Sequence, residues 1–126
     1  MEAKKILIVD DNQEILKLLQ SRLEAEGYNT ISASDGREAL EKISLEKPDL
    51  LLLDIFILEI DGIDTLKILR EKNPSLPVII ITAFPSEETL REAKKYGVSA
   101  YFKKPFQIEE LREAIKESLE KKIEEG

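Results

Sequence analysis

Five polar side chains stand where apolar runs end: Asp10 and Asp11 follow ILIV, Asp54 follows LLLL, Thr82 follows VIII, and Lys104 lies just past AYF. If these runs are parallel strands, their C-terminal ends share the edge where open α/β sheets place ligands. Three carboxylates crowded there repel one another unless a cation is present. Oxygen donors without His or Cys suit a hard divalent ion, Mg²⁺ or Mn²⁺. An ion held by few protein oxygens keeps positions for water or phosphate, which points to phosphoryl chemistry. Lys104 would neutralise one phosphoryl oxygen and Thr82 would donate a hydrogen bond to another. With no His, no Cys and no evident activated Ser, a carboxylate must be the nucleophile. Asp54, alone at the end of the most apolar run, is assigned that role. Taken singly, each residue has a plainer reading. Asp11 or Asn12 caps a helix, Thr82 bonds to nearby backbone, and Lys104 is solvated. Their joint placement favours a site.

The elements that must position these residues are legible as alternating short apolar runs and longer stretches of helical period, the pattern of βα units winding a parallel sheet. Strands are predicted at about 4–9, 28–32, 49–54, 77–81 and 99–102. Runs 6–9, 50–53 and 78–81 are apolar throughout, as central strands covered on both faces should be, whereas the more polar YNTIS at 28–32 suits an edge. Tyr101 and Phe102 alternate, so one is expected in the core and the other outward or partly exposed. Ile15, Leu18, Leu19 and Leu23 are predicted to share a buried helical face, as are Leu40 with Ile43, Leu66 with Leu69, and Leu111 with Ile115 and Leu119. Asp35 with Glu38 and Ser86 with Thr89 read as helix starts, and Gly27 and Gly97 as helix stops. Asp61-Gly62 reads as a turn, and Pro48 and Pro77 mark strand entries.

Composition bounds the rest. A chain of 126 residues fits one domain. A net charge of −7 argues against nucleic acid as the main ligand, because an acidic surface repels phosphate backbones. The absence of Cys and His excludes thiol chemistry, disulfides, ordinary zinc sites and histidine general bases. No apolar run reaches membrane-spanning length and ILIV is too short for a signal-peptide core, so a cytoplasmic location is expected.

Together, ILIVDD, LLLDIFILEIDG, IIITA and FKKPF resemble the receiver domain of two-component response regulators, with all motifs in order across essentially the whole chain. The resemblance implies a doubly wound, five-stranded parallel α/β sheet of flavodoxin-like (βα)5 type, with strand order 2-1-3-4-5. It implies a single receiver domain over 1–126 without an output domain, similar to the sporulation phosphorelay intermediate or the chemotaxis regulator; lacking an output domain, a monomer is expected. By the same resemblance Asp54 accepts a phosphoryl group from a phosphohistidine on a sensor histidine kinase or phosphotransfer protein. Mg²⁺ is then held by Asp11, Asp54 and the Phe56 carbonyl, with Asp10 acting through water. Thr82 and Lys104 bind the phosphoryl oxygens, Tyr101 is the aromatic switch, and Lys104-Pro105 is a cis peptide. Phosphorylation is expected to draw Thr82 inward, bury Tyr101 and remodel the 86–106 surface, either for a downstream protein partner or for onward relay. Recognition is expected on the first helix around Ile15, Leu18 and Gln20.

Two departures stand out. Leu58 replaces the family's usual proline after the phosphorylation site, which bears on kinase docking. Phe56 and Phe84, two residues past Asp54 and Thr82, are apolar where many fast-hydrolysing relatives are polar, so slow autodephosphorylation is expected. Two other readings compete. A metal-dependent phosphatase with an aspartyl nucleophile needs a general acid where Phe56 stands and a substrate cap for which the chain has no room. A receiver-like binding or structural protein, engineered for stability, would carry the acidic pocket as a vestige.

Overall fold

The computed structural model describes residues 3–55 and 62–125. The elements run β1 Lys5–Val9, α1 Gln13–Ala25, β2 Asn29–Ala33, α2 Gly36–Glu46, β3 Leu50–Asp54, α3 Gly62–Lys72, β4 Val78–Thr82, α4 Glu87–Lys95, β5 Ala100–Lys103 and α5 Ile108–Glu125. The five strands are parallel in the order β2-β1-β3-β4-β5. Each strand starts one residue later than the apolar pattern predicts. The flanking residues still extend the ladder, as when Asn29 N–H donates to Lys4 O at 2.9 Å and Leu51 N–H to Pro77 O at 3.0 Å.

The sheet separates two apolar layers because successive strand side chains point to opposite faces. One layer joins Leu7, Leu51, Leu53, Val78 and Ile80 to Ala39, Leu66, Leu69 and Ala93 of α2, α3 and α4. The other joins Ile6, Ile8, Leu52, Ile79 and Ile81 to Leu16, Leu19, Leu23, Leu111 and Ile115 of α1 and α5. β1, β3 and β4 are buried along nearly their whole length, and β2 lies at the edge, as their composition predicts. The expected α1 stripe needs correction. Leu18 is 57% exposed and Leu16 takes the core position, because Leu16, Leu19 and Leu23 follow the i, i+3, i+7 spacing. Of Tyr101 and Phe102, one is expected fully in the core, and neither lies there. Both are half-buried, packed on opposite layers, since β5 is the second edge strand.

Local signals mostly act as expected. Ser86 and Thr89 form a reciprocal capping box on α4. Asp35 caps α2 by accepting Glu38 N–H at 2.9 Å, while Glu38 Oε1 reaches past Asp35 to accept from Ser34 N–H at 2.8 Å. Gly27 and Gly97 end α1 and α4 with φ of +97° and +72°, conformations that glycine adopts without a Cβ penalty. Arg70 is a tie that no motif announced. Its guanidinium donates to the carbonyls of Asn73, Leu76, Tyr96 and Gly97, locking the entry to β4 against the end of α4. Burial holds its pKa below the usual arginine value.

Candidate functional site

Asp10 follows β1 and remains pinned to the sheet through its N–H, which donates to Ala33 O at 3.1 Å. Its side chain is buried, and both carboxylate oxygens have partners. Oδ1 accepts from Asn12 N–H at 2.9 Å and Oδ2 from Lys104 Nζ at 2.8 Å. Asn12 is the α1 cap, accepting from the N–H groups of Glu14 and Ile15, so Asp11 has no part in capping. Asp54 ends β3 at 6% exposure, with Oδ2 accepting from Lys104 Nζ at 3.0 Å. One carboxylate oxygen each from Asp10, Asp11 and Asp54 lies within 4.8 Å of the others.

This convergence follows from sheet order. β1 and β3 are neighbours in a register pairing Val9 with Leu53, so Asp10 and Asp54 leave the sheet side by side. Thr82 ends β4 one residue beyond Ile81, the register partner of Asp54. Its carbonyl accepts from Lys104 N–H at 2.7 Å, which sets the stem of Lys104 beside β4 and lets the ammonium reach back across β3 to Asp10. Burial alone would lower the Lys104 pKa. Hydrogen bonds to Asp10 and Asp54, with the charges of both, outweigh it and hold the ammonium above the ordinary lysine value.

The rear of Asp54 is equally determined. Gly62, the first residue of α3, donates its N–H to Ile55 O at 2.6 Å. A Cβ there would stand 2.4 Å from Ile55 Cα and 2.9 Å from Asp54 O, so only glycine permits this approach. Asp61-Gly62 was legible as a turn, but nothing local signalled that α3 begins against the backbone of Asp54. Asp61, Phe56 and Leu58 lie outside the described residues.

Asp10, Asp11, Asp54 and Lys104 therefore meet at one sheet edge, and buried Thr82 ends the neighbouring strand β4. Tyr101 is held elsewhere: its hydroxyl is 2.9 Å from Thr89 Oγ1, a partnership that neither residue's neighbours in the chain suggest. Thr82 Oγ1 accepts from Phe84 N–H at 3.1 Å, and the Phe84 ring is exposed. Lys104-Pro105 is cis. Chemically, the three carboxylates are a hard-oxygen donor set that fits a divalent cation, with exposed Asp11 giving access from solvent. An apolar groove of about 410 Å³ runs between α1 and the segment after β5, lined by Ile15, Leu18, Arg22, Lys104, Phe106 and Ile108. Gln20 does not join it, since its side-chain amide turns toward β2 and Thr30. Among the described residues no helix is long and apolar enough to cross a membrane.

A family model of the response regulator receiver domain matches residues 6–116. Sporulation initiation phosphotransferase F of Bacillus subtilis is 42% identical over 119 residues, spanning 94% of this chain and 96% of that protein. The alkaline phosphatase synthesis transcriptional regulatory protein PhoP of Bacillus subtilis is also 42% identical, over 90% of this chain, but the match spans only 47% of its length. The solved receiver domain protein (CheY-like) of Methanospirillum hungatei superposes with a TM-score of 0.96 at 35% identity, covering 99% of this chain and 100% of that one. The chemotaxis protein CheY4 of Vibrio cholerae gives 0.86 at 29% identity, covering 92% and 98%. Buried acidic residues at the ends of β1 and β3, a lysine bridging them from beyond β5, a 2-1-3-4-5 sheet and these likenesses lead to one conclusion: the chain belongs to the response regulator receiver domain family.

Proposed function

We propose that this chain is a phospho-accepting signalling switch in which Asp54 takes a phosphoryl group from a phosphohistidine on a sensor histidine kinase or phosphotransfer protein. The observation that carries the reading is the single ammonium of Lys104 shared between Asp10 and Asp54, with a third carboxylate alongside. In the transfer a carboxylate oxygen of Asp54 forms the O–P bond as the N–P bond breaks. The electron pair returns to the imidazole, and an acyl phosphate remains on Asp54. Lys104 is within reach to follow the phosphoryl oxygens as their charge appears. The Thr82 hydroxyl, whose lone pair is taken by Phe84 N–H, keeps its proton to donate to another.

A Mg²⁺ ion bound by Asp10, Asp11 and Asp54 would supply charge neutralisation for the phosphoryl group. Both oxygens of Asp10 are already engaged, which favours its acting through water. Because Lys104 also lines the groove between α1 and the β5–α5 segment, a histidine-bearing partner seated there would lie beside the site.

The test is incubation with acetyl phosphate, with and without Mg²⁺, followed by intact mass for wild type and Asp54→Ala. Addition of one phosphoryl group that depends on Mg²⁺ and disappears in the variant is expected. No addition under any condition would hand the lead to a receiver-like binding protein.

A further inference from the structure

We infer that Thr89 is the positioning residue of Tyr101, and that it regulates the switch by sharing one hydroxyl between the cap of α4 and the tyrosine. The inference deepens the phospho-switch reading and rests on it for its functional meaning. Its geometry does not depend on that reading.

Thr89 Oγ1 has four polar neighbours. It accepts from Ser86 N–H at 3.2 Å, donates to Ser86 O at 3.1 Å, and lies 2.9 Å from both Ser86 Oγ and the Tyr101 hydroxyl. A hydroxyl has one proton and two acceptor lone pairs, so it satisfies three partners at a time. With its proton on Ser86 O and one lone pair on Ser86 N–H, a single lone pair is left. The O–H groups of Ser86 and Tyr101 compete for it. Tyr101 can therefore leave Thr89 without orphaning the cap, because Ser86 Oγ–H takes its place. A switch needs this balance: the outer position of the ring is held, and vacating it is compensated locally.

The same network leads back to the site. Thr82 Oγ1 holds Phe84 N–H at 3.1 Å, and Phe84 is two residues before Ser86, whose backbone forms half of the cap. When Thr82 is drawn toward a phosphoryl oxygen, its proton donated there while its lone pair stays on Phe84 N–H, the 84–86 segment is pulled with it. Ser86 is then drawn with the segment, and the shared lone pair on Thr89 passes from Tyr101 to Ser86. Tyr101 lies opposite Ile80 on β5, on the same sheet face as Thr82 two residues further along β4, so a released ring has the neighbourhood of Thr82 to fill.

The experiment is ¹⁹F NMR of the full chain labelled with 3-fluorotyrosine. The sequence has three tyrosines, and Tyr101→Phe assigns the signal of Tyr101. In the unphosphorylated protein, Thr89→Val is expected to move the Tyr101 signal and Thr89→Ser to leave it at the wild-type position. Ser86→Ala, which removes the competitor, is expected to move it in the opposite sense to Thr89→Val. A role confined to capping predicts that Thr89→Val and Ser86→Ala move the signal the same way, and that result, or no movement in either, overturns the inference. Acetyl phosphate with Mg²⁺ should then shift the wild-type signal in the Thr89→Val direction. Failure of Asp54 to take up phosphoryl by mass would refute the functional reading, and the unphosphorylated spectra would still decide separately whether Thr89 positions Tyr101.

Discussion

Replacing Lys104 by methionine is expected to lower the folding stability of the metal-free protein by about 3 kcal/mol. The ammonium stands 2.8 Å from Asp10 Oδ2 and 3.0 Å from Asp54 Oδ2. At an effective dielectric near 20, each contact of that length is worth roughly 5–6 kcal/mol before desolvation is subtracted. Methionine keeps the stem but leaves two buried carboxylates facing each other, and breaking a buried pair in this way costs about 3–5 kcal/mol. The lower end applies because 17% of the Lys104 side chain remains in contact with water. In urea with EDTA, a slope of about 1.5 kcal/mol/M converts the loss into a midpoint lower by about 2 M. The pH dependence has a definite sign. A lysine whose pKa is raised by folding contributes fully below its ordinary value of 10.5 and loses that contribution as pH climbs through the folded value. The gap between wild type and Lys104→Met should therefore be flat through neutral pH and begin to close above pH 10.5. Adding Asp10→Asn to Lys104→Met should recover part of the loss, since one buried charge then remains where two repelled. A stability within about 0.5 kcal/mol of wild type, or a gap indifferent to alkaline pH, refutes this account.

Gly62→Ala is expected to cost about 1–3 kcal/mol and to slow phosphoryl uptake, because the new methyl group displaces the backbone of Asp54 and Ile55. Urea midpoints and intact mass after acetyl phosphate check both effects, and an unchanged value of each refutes the close-approach argument. Phe56→Asn combined with Phe84→Asn is expected to shorten the half-life of the acyl phosphate by about tenfold, or about 1.4 kcal/mol of barrier, by admitting and orienting a water. A half-life equal to that of wild type, followed by loss of the phosphoryl mass, excludes a role for the two rings.

The sequence alone determined the parallel sheet, its central and edge strands, and the roll of chemically capable residues, because these rest on local period and on polar residues ending apolar runs. Asp10, Asp11, Asp54, Thr82 and Lys104 were legible for that reason. Tertiary structure decided which of them touch. Lys104 is 94 residues from Asp10, and only the β1-β3-β4-β5 order places its ammonium between two carboxylates. It likewise decided that Leu16 and not Leu18 faces the sheet, a matter of helix rotation that an apolar sequence on both sides of the stripe leaves open. Arg70 binds carbonyls, and every residue has a carbonyl, so nothing in the sequence names its partners. Gly62 and Thr89 make the same point at closer range. A turn glycine and a capping threonine are visible in the sequence, but the backbone of Asp54 behind one and the hydroxyl of Tyr101 above the other are brought there only when the sheet closes.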